Sequence, residues 1–404
     1  MIRFVHTADL HIGRRLSQMS LEEDQAYLLH ELVELVQNVQ ADALIIAGDV
    51  FDSPTPSEAA LRLWSDFLLD LAHFNICTLV VGGNHDSGAR LAYGGLFAAE
   101  QGIHIAGELT EEIAHVRVGA CTFWLLPFVR PADVRTWAAR QEIDAGSVVD
   151  YTSAVALLCE YIRAQEAFQQ GAQVLIAHQF VTAHGVSPLR SDSEQLSLGT
   201  LDNVDVSVFD GFDYVALGHV HRPQRIGRDT VRYAGSPLAY STSEIGQHKS
   251  FAVVDIDEAP DAPDTALDTA SSPHVSYELR PVVPLHAFRQ ERGSLQELLA
   301  RARTEEAAHL DYIHAVVSDD SALDVVARLR HVWPNLAQVT FDNSITRAAN
   351  VELGDKNIKE KNVQELFDEF FSAQAGRAMT EDEHALIGAA FEATLGEEAT
   401  DETA

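Results

Sequence analysis

Five short segments of the chain carry side chains suited to holding metal ions: Asp9-Leu-His11, Gly48-Asp49-Val-Phe-Asp52, Gly83-Asn84-His85-Asp86, Ala177-His178-Gln179 and Gly218-His219-Val-His221. In an extended segment, residues two apart project to the same side. The spacing of Asp9 with His11, and of His219 with His221, therefore suits two ligands for one ion. Glycines before Asp49, Asn84 and His219 permit sharp turns and close backbone approach, which a crowded site needs. A mixed Asp, Asn and His donor set without sulfur favours manganese, iron or zinc over magnesium. A lone Asp-x-His or His-x-His is common by chance and is more often a surface or satisfied core feature. Five of the chain's 18 histidines fall in these segments, and the joint pattern is what points to a metal site.

The segments must be positioned by an α/β layered core. The apolar pattern predicts strands over 2–6, 43–47 and 77–81, alternating with helices over 21–39 and 57–71. Three times the chemical residues follow directly after an apolar strand, where open α/β sheets place their sites. Further on, the pattern predicts a hairpin over 116–126, a helix over 151–168 and strands over 174–177, 214–217, 231–234, 251–256 and 275–279. The intervening stretch 258–273, rich in Pro, Asp, Ala and Thr, reads as a flexible hairpin loop, with a domain linker as the alternative. After Pro284 the pattern suggests strands over 285–288, 312–317 and 336–341 and helices over 295–302 and 323–332. Beyond Asn350 it turns helical, with Val363, Leu366, Phe367, Phe370 and Phe371 on one narrow apolar stripe. Thr380 and Glu383 form a capping box for a last helix.

The composition sets limits on function. A chain of 404 residues, 46% hydrophobic and 22% charged, suits one large domain or two to three ordinary ones. No apolar run approaches the roughly 18 residues of a membrane span, and the start reads as a strand rather than a signal peptide. A cytoplasmic protein is expected. Cys77, Cys121 and Cys159 stand far apart without CxxC pairing, which disfavours a disulfide framework or a thiolate zinc site. The formal net charge of −33 argues, taken alone, against a nucleic-acid partner, because Lys and Arg supply most non-specific binding to phosphates. Acid is denser in the C-terminal part, and the eight acidic residues from Glu381 onward face no basic one. Such a tail is usually solvated.

The ordered motif set is similar to that of the calcineurin-like metallophosphoesterase superfamily. Within it, His6-Thr-Ala-Asp-Leu-His-Ile-Gly13, Gly48-Asp-Val-Phe-Asp-Ser-Pro54, Gly83-Asn-His-Asp86, Leu217-Gly-His-Val-His-Arg-Pro223 and Tyr233-Ala-Gly-Ser-Pro237 resemble the bacterial double-strand-break repair nucleases over nearly the whole chain. The resemblance implies a two-sheet sandwich flanked by helices (1–282), a small αβ capping domain (283–345) and a helical, partner-docking tail (346–404). It implies two divalent ions, most often Mn²⁺, where the donor chemistry alone leaves manganese, iron or zinc open. Asp9, His11, Asp49 and His221 take one ion and Asp49, Asn84, His178 and His219 the other. His85 contacts the phosphate or protonates the leaving 3′ oxygen. Asp86 is then the natural partner to orient the His85 imidazole. Asp52 either supports the site or caps the helix that begins near Ser57 or the Pro54-Thr-Pro56 turn. Protein phosphatases of the superfamily carry Asp-Arg-Gly and a Glu where this chain has Asp52-Ser53-Pro54 and Asp86, so a phosphoprotein substrate is disfavoured. The acidic 258–273 insertion departs from the family pattern.

The implied activity is a DNA nuclease, exonucleolytic (3′–5′) at duplex ends and endonucleolytic in hairpins or single strands. The alternatives are a small-molecule or cyclic-nucleotide phosphodiesterase and, last, a scaffold. The implied partners are DNA and an SbcC-type coiled-coil ATPase in a two-plus-two assembly. Homodimerisation is expected through helices of the first domain, 57–71 or 89–99. Arg14, Arg15 and Arg90 are candidate DNA contacts, with Arg190 a weaker one. The stripe of Val363, Leu366, Phe367, Phe370 and Phe371 is the candidate docking surface.

Overall fold

The structure, a computed structural model, describes residues 1–183, 185–194, 203–257, 273–303, 310–319 and 324–343, with positions 371, 379–380 and 384. The chain begins with β1 (Ile2–Thr7), α1 (Glu22–Asn38), β2 (Ala43–Ala47), α2 (Glu58–His73), β3 (Cys77–Val81) and β4 (Ile103–Ala106). The four strands run parallel and neighbour one another in that order. Every residue of β2 is buried. Its side chains alternate between two cores: Leu44 and Ile46 face the layer under the helices, Ala43, Ile45 and Ala47 the opposite face. A strand sandwiched in this way reads as a continuous apolar run, which is why Ala-Leu-Ile-Ile-Ala was legible. Ser57 caps α2, its hydroxyl accepting from the Ala60 N–H at 3.2 Å.

The next stretch builds a second sheet from β5 (His115–Val118), β6 (Cys121–Leu126), β7 (Ala172–His178), β8 (Tyr214–Gly218), β9 (Gln224–Ile226) and β10 (Arg228–Tyr233). Their spatial order is β9-β10-β8-β7-β6-β5. Between β6 and β7 run α3 (Pro131–Arg140) and α4 (Tyr151–Arg163). The chain then returns to the first sheet as β11 (Ser250–Ile256), antiparallel on β1, and β12 (Val275–Pro281), antiparallel on β11 at the sheet edge. The pairing of Ile256 with Val275 matches the hairpin expected there, although residues 258–272 lie outside the described ones.

Three apolar layers hold this sandwich together. Phe4, Ile45, Leu79, Phe123, Ile176 and Val254 fill the space between the sheets, with Phe4 edge-on to Phe123 and Tyr214 at 5.4 Å each. Leu28, Leu32, Trp64 and Phe67 seat α1 and α2 on the first sheet. Trp137, Leu158 and Ile162 seat α3 and α4 on the second.

A small αβ module follows: β13 (Phe288–Gly293), α5 (Leu295–Ala302), β14 (Tyr312–Val317), α6 (Val325–Val332) and β15 (Leu336–Phe341). Its three strands form one sheet in the order β13-β14-β15. The first strand lies later than the 285–288 expected from the pattern. Its sequence Phe-Arg-Gln-Glu-Arg-Gly is mostly polar because it is held by ion pairs, Arg289 with Glu291 and Asp311 and Arg301 with Glu291. Helix α3 was also missed. Its signal was Pro131 in the first turn, with Asp133 accepting the Arg130 N–H at 3.0 Å. The helix expected over 151–168 stops at Arg163 and gives way to a 3₁₀ turn at Glu166–Gln169.

By compactness, Met1–Val316 and Asp324–Thr340 form one unit. In the second unit, the Asp342 N–H donates to the Val317 carbonyl at 2.9 Å and the Asn343 amide to the Asp319 carbonyl at 3.1 Å. Val363, Leu366, Phe367, Phe370 and Glu383 lie outside the described residues. Phe371 is described, helical and half-buried, and Thr380 accepts from His384 N–H at 2.9 Å. Among the described residues no helix is long and apolar enough to cross a membrane.

Candidate metal centre

All five motifs converge at the carboxyl ends of β1, β2, β3, β7 and β8, where the two sheets meet. The loop after β1 continues onto the loop after β2: Asp9 N–H donates to the Gly48 carbonyl, His11 N–H to that of Asp49 and Ile12 N–H to that of Val50, at 2.8–3.0 Å. Asp9, His11, Asp49 and His219 all have positive φ, between 44° and 97°. Such backbone costs of order 1–3 kcal/mol per residue and persists only where the surroundings enforce it. Here the enforced product is a cluster of inward-facing donors. Glycine is required beside them. A Cβ at Gly48 would stand 2.2 Å from His178 Nδ1, and one at Gly83 would stand 2.1 Å from Asp49 Oδ1.

The donor atoms pack at spacings that call for a cation. His11 Nε2 and His221 Nε2 are 3.0 Å apart. Two nitrogens bound to one ion at about 2.0–2.1 Å each, meeting near a right angle, stand about 3 Å apart. His178 donates its Nδ1–H to the Ala47 carbonyl at 2.8 Å. Its Nε2 is thereby turned toward Asn84 Oδ1 at 3.1 Å and Asp49 Oδ2 at 3.3 Å. Asn84 Oδ1 also meets His219 Nδ1 at 2.8 Å. Asp49 Oδ2 lies between the two groups, 3.6 Å from His11 Nε2 and 3.3 Å from His178 Nε2. Asp9 Oδ2 is buried with no hydrogen-bond partner. Donor atoms of Asp9, His11 and His221 lie within 4.8 Å of one another, as do those of Asp9, Asp49 and His178, and those of His11, Asp52 and His85. Lone pairs facing one another in a buried site repel unless a positive charge joins them, so the donor set fits a pair of divalent ions.

The electrostatics agree. Burial opposes charge on His178, yet the Asp49 and Asp9 carboxylates outweigh it and push the imidazole up to about 9. Burial would raise Asp49 as well, but His178 and His11 hold its carboxyl well below the usual range. Burial and His178 together pull His219 down to about 3, and burial holds His11 well below its ordinary value. Neutral His11 and His219 beside an ionised Asp49 are the protonation state a divalent ion requires, whereas His178 must give up its proton for an ion to bind.

Residues 2–223 match the family described as calcineurin-like phosphoesterase. The chain belongs to that family. Residues 283–375 match the type 5 capsule protein repressor C-terminal domain. Among curated proteins, the D subunit of nuclease SbcCD from Staphylococcus saprophyticus is 27% identical over 387 residues, covering 94% of this chain and 95% of that protein. The protein of the same name from Staphylococcus epidermidis is 28% identical, covering 92% of each. Among solved structures, a dimetal phosphatase from Danio rerio covers 63% of this chain and 92% of that one, with 13% identity and a TM-score of 0.38.

Around the ligand cluster of this phosphoesterase stand the other side chains that its motifs supply. His85 sits at the edge of the cluster, its ring edge-on to His11 at 4.8 Å. Its Nδ1–H donates to the Asp52 carbonyl at 3.0 Å, which leaves Nε2 as the free nitrogen. The expected pairing with Asp86 is not what orients it. The Asp86 carboxylate instead accepts the N–H groups of Val50 (3.1 Å), Phe51 (2.9 Å) and Gly83 (2.9 Å), tying two ligand loops together. Burial, then Asp49, raises Asp86 to about 6 against those bonds. Asp52 does not cap α2, since Ser57 does. Its side chain takes the Arg14 guanidinium at 2.7 Å and lies 3.5 Å from His11 Nδ1. Arg15 bonds the Gln18 carbonyl, and Arg90 bonds the Pro54 carbonyl and Thr55 Oγ1. Arg190 stacks on Phe180, 4.8 Å from the ring centroid, and that ring stands 6.1 Å from His219.

Sequence reasoning missed the supports behind the ligands. Gln25 on α1 donates to the His11 carbonyl at 2.8 Å and accepts the Gly13 N–H at 3.0 Å. Glu194 accepts the His221 N–H at 2.9 Å. Glu244 and Lys249 are buried beside His221. A signal for Lys249 was present: it is the one lysine of the first 355 residues, in a chain that otherwise uses arginine there.

Proposed function

We propose that this phosphoesterase is the nuclease subunit of an SbcCD-type complex, hydrolysing DNA phosphodiester bonds with two manganese ions. The observation that carries the reading is the seven-donor cluster with His85 at its rim, on a chain that spans its nuclease relatives nearly end to end. Asp9, His11, Asp49 and His221 hold one ion and Asp49, Asn84, His178 and His219 the other. The position of Asp49 Oδ2 between His11 and His178 supports its sharing. Nitrogen and oxygen donors without sulfur suit Mn²⁺. When bound, such ions supply Lewis acidity to the phosphoryl oxygens and a nucleophile from water.

The chain's own residues do the rest. His85, fixed through Nδ1 by the Asp52 carbonyl, presents Nε2 to the phosphate or to the leaving 3′ oxygen. Asp86 and Gly83 keep the Asn84-His85 turn against the Asp49 loop. Arg14, Arg15 and Arg90 are the candidate contacts to a DNA backbone. They are few for so acidic a chain, and an SbcC-type ATPase supplies the remaining DNA-binding surface. The division at 1–282, 283–345 and 346–404 assigns hydrolysis, capping and docking in that order, in a nucleoid-associated complex of two copies of each subunit. Exposed Tyr93, Leu96 and Phe97 support homodimerisation through the 89–99 segment.

The tail docks by laying Val363, Leu366, Phe367, Phe370 and Phe371 into a groove of the partner, a standard mode for an amphipathic helix. Phe367→Asp with Phe370→Asp is expected to abolish co-purification with SbcC while manganese-dependent DNA hydrolysis persists. Unchanged co-purification would remove the docking assignment, and a chain that cuts no DNA would remove the nuclease reading.

A further inference from the structure

The motif Tyr233-Ala-Gly-Ser-Pro237 supplies no candidate ligand, yet it lies against a buried ion pair, Glu244 with Lys249. Ser236 Oγ, fully buried, bonds Glu244 Oε2 at 3.2 Å and Lys249 Nζ at 2.9 Å. Lys249 Nζ stands 2.5 Å from Glu244 Oε2 and also donates to the His221 carbonyl at 2.9 Å. Glu244 and Lys249 are 1% and 8% exposed. Burying this pair costs several kcal/mol of desolvation per ion, and apolar residues would fill the space without that cost. The pair therefore needs a purpose other than packing.

The direction of the hydrogen bonds supplies one. A carboxylate flanked by an ammonium is ionised and can only accept. Ser193 Oγ, bonded to Glu244 Oε1, must then give that carboxylate its single proton. The same oxygen lies 2.8 Å from His221 Nδ1 and has only acceptor capacity left, so Nδ1 carries the imidazole proton. That leaves Nε2, 3.0 Å from His11 Nε2, as a lone pair aimed into the cluster. Both backbone groups of His221 are held too, the N–H by Glu194 and the carbonyl by Lys249.

We propose that Glu244, neutralised by Lys249 and acting through Ser193, is a positioning residue that fixes the tautomer and orientation of His221 for one of the two metal ions. It rests on the two-ion reading above. Carboxylates behind a histidine ligand orient it and raise its basicity, and their loss typically costs about 10–100-fold in metal affinity. The relay crosses the sequence from 193 to 249, so the arm carrying Ser193 and Glu194 belongs functionally to the metal site.

The test is calorimetric titration of the full chain with Mn²⁺, beside thermal unfolding of the metal-free protein. Glu244→Gln keeps the shape, but its one acceptor oxygen is taken by Lys249, which leaves an N–H₂ where Ser193 needs an acceptor. The expected result is two ions bound, one at wild-type affinity and one weakened about 10–100-fold. If Glu244→Gln fails to fold, Ser193→Ala decides, because it removes the relay hydroxyl and leaves the buried pair intact; a weakening of one ion by at least about threefold is expected. Wild-type affinity for both ions in a folded Glu244→Gln, or in Ser193→Ala where that variant decides, would overturn the inference. A wild-type chain that binds no pair of ions would overturn the two-ion reading instead.

Discussion

His85→Gln is expected to reduce DNA hydrolysis by about 10²–10⁴-fold, the usual share of a positioned proton donor, with both ions still bound. The argument is geometric. His85 touches the cluster only at its rim, its ring edge-on to His11, and its Nδ1–H is committed to the Asp52 carbonyl. Among the described residues no hydrogen bond occupies its Nε2, which is therefore open to a substrate. A glutamine keeps a donor for the Asp52 carbonyl and leaves the backbone bond from residue 85 to Asp49 Oδ1 in place, so metal binding is spared. Loss of hydrolysis together with loss of metal would instead make His85 part of the ligand set. Wild-type turnover would remove it from the chemistry.

Asp49→Asn is expected to remove both ions rather than one. Asp49 Oδ2 stands between His11 and His178, and Oδ1 accepts the His85 N–H at 2.9 Å, so the side chain serves both donor groups and the turn that carries His85. Its charge is also what outweighs burial at His178. In the wild-type chain, each of the two Mn²⁺ ions at about 100 times its Kd stabilises the folded state by about 2.7 kcal/mol, about 5.4 kcal/mol together. At about 2–4 °C per kcal/mol, that raises Tm by about 11–22 °C. In Asp49→Asn the shift should vanish and hydrolysis should fall to background. Retention of half the shift would mean that the two ions do not share this residue.

How much of this was legible in the sequence depended on the range of the interaction that fixed each feature. Buried strands such as Ala43–Ala47 and Cys77–Val81 are continuous apolar runs, and their bounds matched the pattern. The ligand motifs were legible because strand ends, glycines and paired spacings are local. Helix α3 was not, since its apolar face is only Val134, Trp137 and Ala138 and its start depends on a side-chain bond. Strand β13 was displaced because ion pairs rather than apolar alternation hold it. The partner of His85 was misjudged for a similar reason. Asp86 is adjacent in sequence, but its oxygens are drawn to the N–H groups of Val50 and Phe51, 36 and 35 residues away. No local pattern announces that Glu244 reaches Ser193, 51 residues distant, except the single buried lysine that neutralises it.

The most direct test of the central claim is hydrolysis of an end-labelled DNA duplex and a DNA hairpin by the purified chain, with and without Mn²⁺, SbcC and ATP, beside a cyclic nucleotide as competing substrate. The account predicts cleavage of both DNAs that requires Mn²⁺ and rises with SbcC and ATP, with little turnover of the cyclic nucleotide. No cleavage of DNA under any of these conditions, with brisk turnover of the cyclic nucleotide, would contradict it.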